Sequence, residues 1–333
     1  MQSHFNLSII AYMSLTDSIK RKAIELGFDL VGITDTNPIS SEQIDFFNLW
    51  LESGYAGQMH YMHKNFEKRI NPTELLKNAK SVIVVGLNYK PQIQLKNNTK
   101  TNTTTGKIAS YAQYEDYHAF IKKRLRYLVD FIVPEINRDI NFKICVDSVP
   151  LAERALAVRA GLGFIGKNHM LINSQLGCQI FLGEIITNLK LQPDKPVVRN
   201  CSTCSLCIEA CPTGALRNDG QFDASRCINY LTIEYKGEMP LELLGKIDNR
   251  LFGCEECILV CPYQHKAPVC KNNQFKYYPN RAETNLQEIL SMNEELFNSK
   301  FSDSVIKRPG LDVLKRNARI CLENKKTGGK TAG

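Results

Sequence analysis

The run Cys201-x₂-Cys204-x₂-Cys207-x₃-Cys211-Pro212 constrains this 333-residue chain more than any other feature. Four cysteines at that spacing, followed by proline, form a complete bacterial-ferredoxin run. The first three thiolates wrap one side of a cubane iron–sulfur cluster, and the fourth points away to ligate a second cluster. A second cluster needs a second set of ligands, and Cys254-x₂-Cys257-x₃-Cys261-Pro262 supplies most of one. Its first member is missing, because Leu251 stands where that cysteine belongs; Cys227, from the intervening segment, is the natural substitute. With ligand exchange, one [4Fe–4S] cluster takes Cys201, Cys204, Cys207 and Cys261, and the other takes Cys211, Cys227, Cys254 and Cys257. Zinc knuckles also pair C-x₂-C motifs, but the x₂, x₂, x₃-Pro order and its partial repeat favour iron–sulfur. Cys145, Cys178, Cys270 and Cys321 lack such spacing and read as ordinary thiols.

Such clusters pass single electrons, so the remaining residues must hold what receives them. With 43% hydrophobic and 23% charged residues, the composition is that of a globular protein. The length suggests about two domains. No apolar run approaches the ~20 residues of a membrane span. The N-terminus lacks a basic region and a cleavage site, so no export signal is expected, and Met13 is an alternative start. A cytoplasmic location follows, in which disulfides are a poor reading of the cysteines. The net charge is +8. Basic residues gather in Lys122–Arg126 and beyond Phe301, where eight Lys and Arg stand against three acids. Each run alone reads as a solvated face; together they permit a polyanionic partner such as RNA.

Up to about residue 195 the chain alternates α and β. Ser14 is placed to cap a helix that Gly27 ends. "DLVGIT", "SVIVVGLNY", "FKICV" and "CQIFLGEIIT" read as strands. "YHAFIKKRLRYLVDFI" is an amphipathic helix, and another is expected to start near Pro150. The polar stretch Lys96–Lys107 reads as a surface loop. The character changes at Pro193–Pro196, and the chain ends in a helix, "PGLDVLKRNARICLEN".

"GLGFIGKN" (Gly161–Asn168) has the G-x-G-x-x-G spacing of a dinucleotide turn. That turn follows a strand and opens a helix. Here a helix runs into Gly161, where a C-cap glycine belongs, and "HMLIN" beyond it looks extended. Dinucleotide binding is therefore not expected; a tight bend is.

"VDSVPLAERALAVRAGLGFIGKNHMLI", both cysteine runs, "DASRCINYLTIE" and "NRLFGCEECILVCP" together resemble the epoxyqueuosine reductase family. The resemblance covers roughly Leu15 to Pro262. It implies an α/β, nitroreductase-like cobalamin-binding domain over 13–195, a ferredoxin-like two-cluster domain over 196–265 and a short, basic, partly helical extension over 266–333. The implied reaction reduces the epoxide of epoxyqueuosine at the tRNA wobble position, the last step of queuosine synthesis. The implied protein is a monomer fed by an external low-potential electron donor.

Asp147 resembles the family's proton donor. To stay protonated near neutrality it would need a pKa raised by burial; a helix cap is the plainer role for it. The motif D-x-H-x-x-G is broken at Ile121, so the implied cobalamin is base-off, without an axial histidine. By the same resemblance Arg69, Ala109, Asp147, Leu171, Leu182, Asn229, Cys254 and Glu255 lie against the cofactor. Lys236, Arg308 and Arg316 are candidates for tRNA phosphates. Ser110 stands where the family often has Arg. The chain holds only about one helix of the HEAT-like extension that many members carry, which implies a grip on tRNA that is smaller or relies on the basic tail. Two rivals remain: a reductive dehalogenase with the same cofactors, and a ferredoxin-like electron carrier.

Overall fold

A computed structural model describes residues 14–92, 104–136 and 139–326. The N-terminal patch and the alternative start at Met13 lie outside them, as do most of the polar stretch and the last residues of the basic tail. The strands are β1 (Leu30–Thr34), β2 (Ser81–Asn88), β3 (Thr105–Ile108), β4 (Phe142–Cys145), β5 (Phe164–Ile165), β6 (Leu171–Ile172), β7 (Ile180–Thr187), β8 (Arg250–Phe252) and β9 (Glu283–Asn285). The main helices, numbered in chain order, are α1 (Leu15–Glu25), α2 (Tyr117–Ile132), α3 (Glu153–Arg159), α4 (Ile228–Ile233), α5 (Leu241–Ile247), α6 (Leu286–Ser291) and α7 (Leu311–Lys326).

Local chemistry sets the boundaries. The Ser14 hydroxyl accepts the Asp17 N–H at 3.1 Å, and Gly27 leaves α1 with φ +92°. Asp116 caps α2 by accepting the His118 N–H at 2.8 Å. The helix expected near Pro150 begins at Glu153 instead. Thr105–Lys107, expected in a loop, pairs as part of β3.

β1, β2, β7 and β4 form one antiparallel sheet in that order, with β2 and β7 buried along their whole length. Alternation of side chains sends Ile83, Val85, Leu87, Phe181 and Ile185 to the face covered by α1 and α2. Val82, Val84, Leu182 and Ile186 go to the face covered by α3. The architecture is therefore mixed α/β around a buried sheet.

A second core gathers Ile108, Ala112, Leu231, Phe252, Leu286, Phe301, Leu314 and Cys321. The sheet β8-β3-β9 runs through it, β3 parallel to β8 and antiparallel to β9. Those strands come from each of the three segments bounded at 195/196 and 265/266. The expected extension is thus not an appendage: α7 packs on β8, α4, α5 and α6. Burial of its apolar stripe requires the residues before it.

Candidate active site and cluster ligands

Asp147 follows β4 directly. Cys145 pairs with Glu184, so continuing the register brings Asp147 level with Leu182. Asp147 has φ +51°, and the Ser148 N–H returns to Val146 O at 2.6 Å, a three-residue turn. Its Oδ2 accepts from Tyr117 Oη at 2.8 Å and lies 3.0 Å from His118 Nε2. His118 Nδ1 lies 2.7 Å from Asp116 Oδ1. The Tyr117 ring stacks on Phe181, with centroids 4.1 Å apart. The side chain of Asp147 keeps 49% of its surface open, so it faces a cleft.

The expected protonation is reversed. Burial acts to raise the Asp147 carboxyl, but hydrogen bonds from His118 and Tyr117 and the charges of His118 and Arg308 outweigh it and hold the pKa below the usual range. Burial acts to lower His118, but Asp116 and Asp147 outweigh it and push its pKa up to about 9. The proton at neutral pH rests on His118. Nor does Asp147 cap a helix; Ala152 stands at the N-cap of α3, without a side-chain bond. The pair Tyr117–His118 was missed from sequence. Its signal was an Asp-Tyr-His triplet at a helix N-cap, where the first side chains project from one end of the helix.

Around this cleft the structure gathers most of the expected residues. Arg69 has Asp147, Glu153 and Tyr61 as electrostatic neighbours, and its Nε is buried with no hydrogen-bond partner among the described residues. Tyr111 has Glu255, Asp147, Cys227 and Arg308 as electrostatic neighbours, and its hydroxyl lies 3.2 Å from Asn229 Oδ1. A Cβ added to Gly253 would come 2.7 Å from Ala109 Cβ and 3.2 Å from Asn229 Oδ1. Glu255 accepts the Ser110 N–H at 2.6 Å and Gln179 Nε2 at 3.1 Å. The backbone at Ser110, just past β3, thus meets the cysteine segment without a charge, and Gln179 ties that segment to the start of β7. Leu171 and Leu182 share the core on the α3 face.

Lys236 and Arg308 are exposed neighbours: Lys236 Nζ donates to Pro309 O at 2.9 Å, and Arg308 pairs with Glu234 at 2.7 Å. Arg316 is different. Its guanidinium donates to the carbonyls of Leu231, Tyr235 and Gly237 and to Asn317. It ties down the end of α4 and is a structural residue, not a phosphate contact.

The cysteines of the two runs and Cys227 gather together. Cys207 has Cys201 and Cys204 as neighbours, Cys261 packs with Cys201 and Cys257 in a small apolar cluster, and Cys257 has Cys227, Cys254, Cys211 and Cys207 around it. "GLGFIGKN" serves these loops: the Lys167 N–H donates to Cys201 Sγ at 3.4 Å, its Nζ to Ser202 O and Cys204 O, and Asn168 Nδ2 to Cys257 O. Cys178, read as an ordinary thiol, hydrogen-bonds with Cys261.

A family model for a 4Fe-4S double cluster binding domain matches residues 200–264, and one for epoxyqueuosine reductase QueG, DUF1730, matches residues 69–148. The chain is 40% identical to the epoxyqueuosine reductase of Leadbetterella byssophila, over 92% of this chain and 97% of that protein. The chain belongs to the epoxyqueuosine reductase family. Identity to the Escherichia coli K12 enzyme is 37%, over 93% of this chain and 81% of that one. The solved epoxyqueuosine reductase of Streptococcus thermophilus superposes with a TM-score of 0.84 at 32% identity, covering 94% of this chain and 82% of that one. Another, crystallised with an epoxyqueuosine-modified tyrosine tRNA stem loop, gives 0.86 at 33%, with the same coverage. Membership decides against the dehalogenase and electron-carrier rivals. Among the described residues no helix is long and apolar enough to cross a membrane.

Proposed function

We propose that this protein reduces the epoxide of epoxyqueuosine to the cyclopentene of queuosine at the wobble position of tRNA. The observation that carries the proposal is an open-sided carboxylate, Asp147, set by Tyr117 and His118 in a cleft that reaches the cysteine loops through Tyr111 and Asn229. The reaction consumes two electrons and two protons, breaks both epoxide C–O bonds and releases the oxygen as water.

Eight gathered thiols suit two [4Fe–4S] clusters, held by Cys201, Cys204, Cys207 and Cys261, and by Cys211, Cys227, Cys254 and Cys257. The cleft also suits a base-off cobalamin bound by a nitroreductase-like unit. The unpartnered Arg69 Nε is a donor available to one of the cofactor's amides or phosphate. Ala109, Leu171, Leu182, Asn229, Cys254 and Glu255 would complete its surroundings. Bound there, cobalamin supplies a strongly reducing cobalt centre for the clusters' single electrons.

The protein's own part is to manage protons. Both hydrogen bonds to the Asp147 carboxylate fall on Oδ2, so Oδ1 is left to face substrate. A proton drawn from His118 passes through Asp147 to the departing oxygen. Lys236 and Arg308 lie beside the same cleft as phosphate contacts. The working protein is a cytoplasmic monomer fed by an external low-potential donor.

The test is nucleoside mass spectrometry on tRNA from a strain lacking the gene. Epoxyqueuosine should accumulate, and the wild-type gene should clear it. No accumulation, in a strain that makes epoxyqueuosine, would overturn the proposal.

A further inference from the structure

Glu184 is fully buried in the middle of β7, among apolar side chains that include Leu182 and Ile186. As a carboxylate it would find no donor among the described residues; as a neutral acid it hydrogen-bonds to the Glu153 side chain. Burial drives its pKa well above the usual range, and the charge of Glu153 adds to that. It is a neutral acid in the core of the sheet. A polar group so placed is costly unless it serves something.

What it faces is Glu153, the first residue of α3. Burial and the nearby Asp147 push the Glu153 pKa up to about 7, against the hydrogen bonds it accepts from the Asp147 N–H and from Glu184 and the charge of Arg154. That hydrogen bond runs from the Asp147 N–H to Glu153 Oε1 at 2.6 Å. Asp147 is at the apex of its turn with a positive φ, a conformation that aspartate tolerates better than most residues with a Cβ but that still gains from being held in place. Tyr117 and His118 hold the side chain from one direction, and Glu153 holds the backbone from the other.

Resting on the reading of Asp147 as the acid of the reaction, we propose that Glu153, backed by Glu184, is a positioning residue. Its carboxyl latches the Asp147 amide and keeps the Asp147 carboxylate aimed into the cleft. Glu184 keeps the latch in place by donating a hydrogen bond to the Glu153 carboxylate.

The test compares Glu153→Ala, Glu153→Gln and Glu184→Leu in the cluster-loaded protein. Hydrogen exchange of the peptide spanning 143–152, followed by mass spectrometry without substrate, reads the latch directly. Loss of a hydrogen bond to a charged acceptor should speed exchange about tenfold in Glu153→Ala. The same variant should lose about tenfold in kcat on a modified stem loop, with KM within twofold. Glu153→Gln retains an acceptor and should stay near wild type in both. Glu184→Leu suits its apolar surroundings, keeps the iron, and should speed exchange severalfold by removing the neutral acid behind Glu153. Unchanged exchange in Glu153→Ala, or a Glu153→Gln variant as impaired as the alanine, would overturn the latch. If Glu153→Ala fails to incorporate iron, Glu153→Gln decides, wild-type exchange and kcat supporting the latch and loss of either overturning it. Unchanged exchange in Glu184→Leu would overturn the backing role. A wild-type protein inactive on epoxyqueuosine would remove the functional reading, while the exchange comparison would still decide the latch.

Discussion

Replacing His118 with Gln removes the positive charge beside Asp147 while keeping an N–H donor. The His118 pKa stands at about 9 against 6.5 in an unfolded chain. At about 1.36 kcal/mol per pH unit, that corresponds to ~3 kcal/mol of folding stability. Its partner Asp147 is 49% exposed, and solvent screening reduces the figure to ~1–2 kcal/mol. The pKa is raised, so this contribution is fully present below pH ~6.5 and is lost as pH rises through ~9. The assay is thermal unfolding of anaerobic, cluster-loaded wild type and His118→Gln at one scan rate, between pH 6 and pH 10. The wild type should melt ~2–4 °C higher at pH 6, and the two curves should converge by pH 10. A difference that stays constant or grows with pH would show that His118 acts by packing alone. The proton would then have no resting place on its imidazole.

Other outcomes follow from the same geometry. Asp147→Asn should keep eight irons and one cobalt per chain, by elemental analysis, and lose turnover in a stem-loop reduction assay. Cys261→Ser should lower the iron content from about eight to about four per chain, as read by iron assay and electron paramagnetic resonance, whereas Cys145→Ser should leave it unchanged. Arg308→Glu should weaken stem-loop binding and flatten its salt dependence in a fluorescence titration, with little change in melting temperature. Arg316→Ala should do the reverse. It removes hydrogen bonds from a charged donor to the end of α4 and should cost ~2 kcal/mol or more in thermal unfolding.

What was legible in the sequence shares a physical cause. The cysteine spacing, matched by a double-cluster family model, the cap at Ser14, and the apolar runs of β2 and β7 are local rules. Asp147 was legible as a residue but not as a charge state. Its neighbours Tyr117 and His118 are about thirty positions away, and only the meeting of β4 with the start of α2 shows that they outweigh burial. Arg316 failed for a similar reason: a basic residue in a basic tail reads as surface until the carbonyls of Leu231, Tyr235 and Gly237 are seen to occupy it. The sharing of one sheet by all three segments was not legible, because β3 pairs with strands from two later segments and no local pattern announces such pairing.

The glycines of "GLGFIGKN" show how a motif can be right in its physics and wrong in its usual ligand. In a dinucleotide turn, glycine lets the backbone approach a pyrophosphate. Here a Cβ on Gly161 would come 2.7 Å from Lys195 O, and one on Gly163 would come 2.3 Å from Ile172 O. Close approach is again what the glycines permit, but to the protein's own backbone. The segment is pressed against β6 and the chain leading to the cysteines, and Lys167 and Asn168 emerge where they can donate to Cys201 Sγ, Cys204 O and Cys257 O. Donors aimed at a cluster's sulfurs and loops stabilise added negative charge, and so raise a reduction potential. Lys167→Ala keeps the backbone N–H on Cys201 Sγ but removes the Nζ charge and its bonds to Ser202 O and Cys204 O, and that lost charge should shift the potential of the cluster held by Cys201 to a more negative value while leaving the iron count at eight. An unshifted potential in a fully loaded variant would reduce Lys167 to a loop tether.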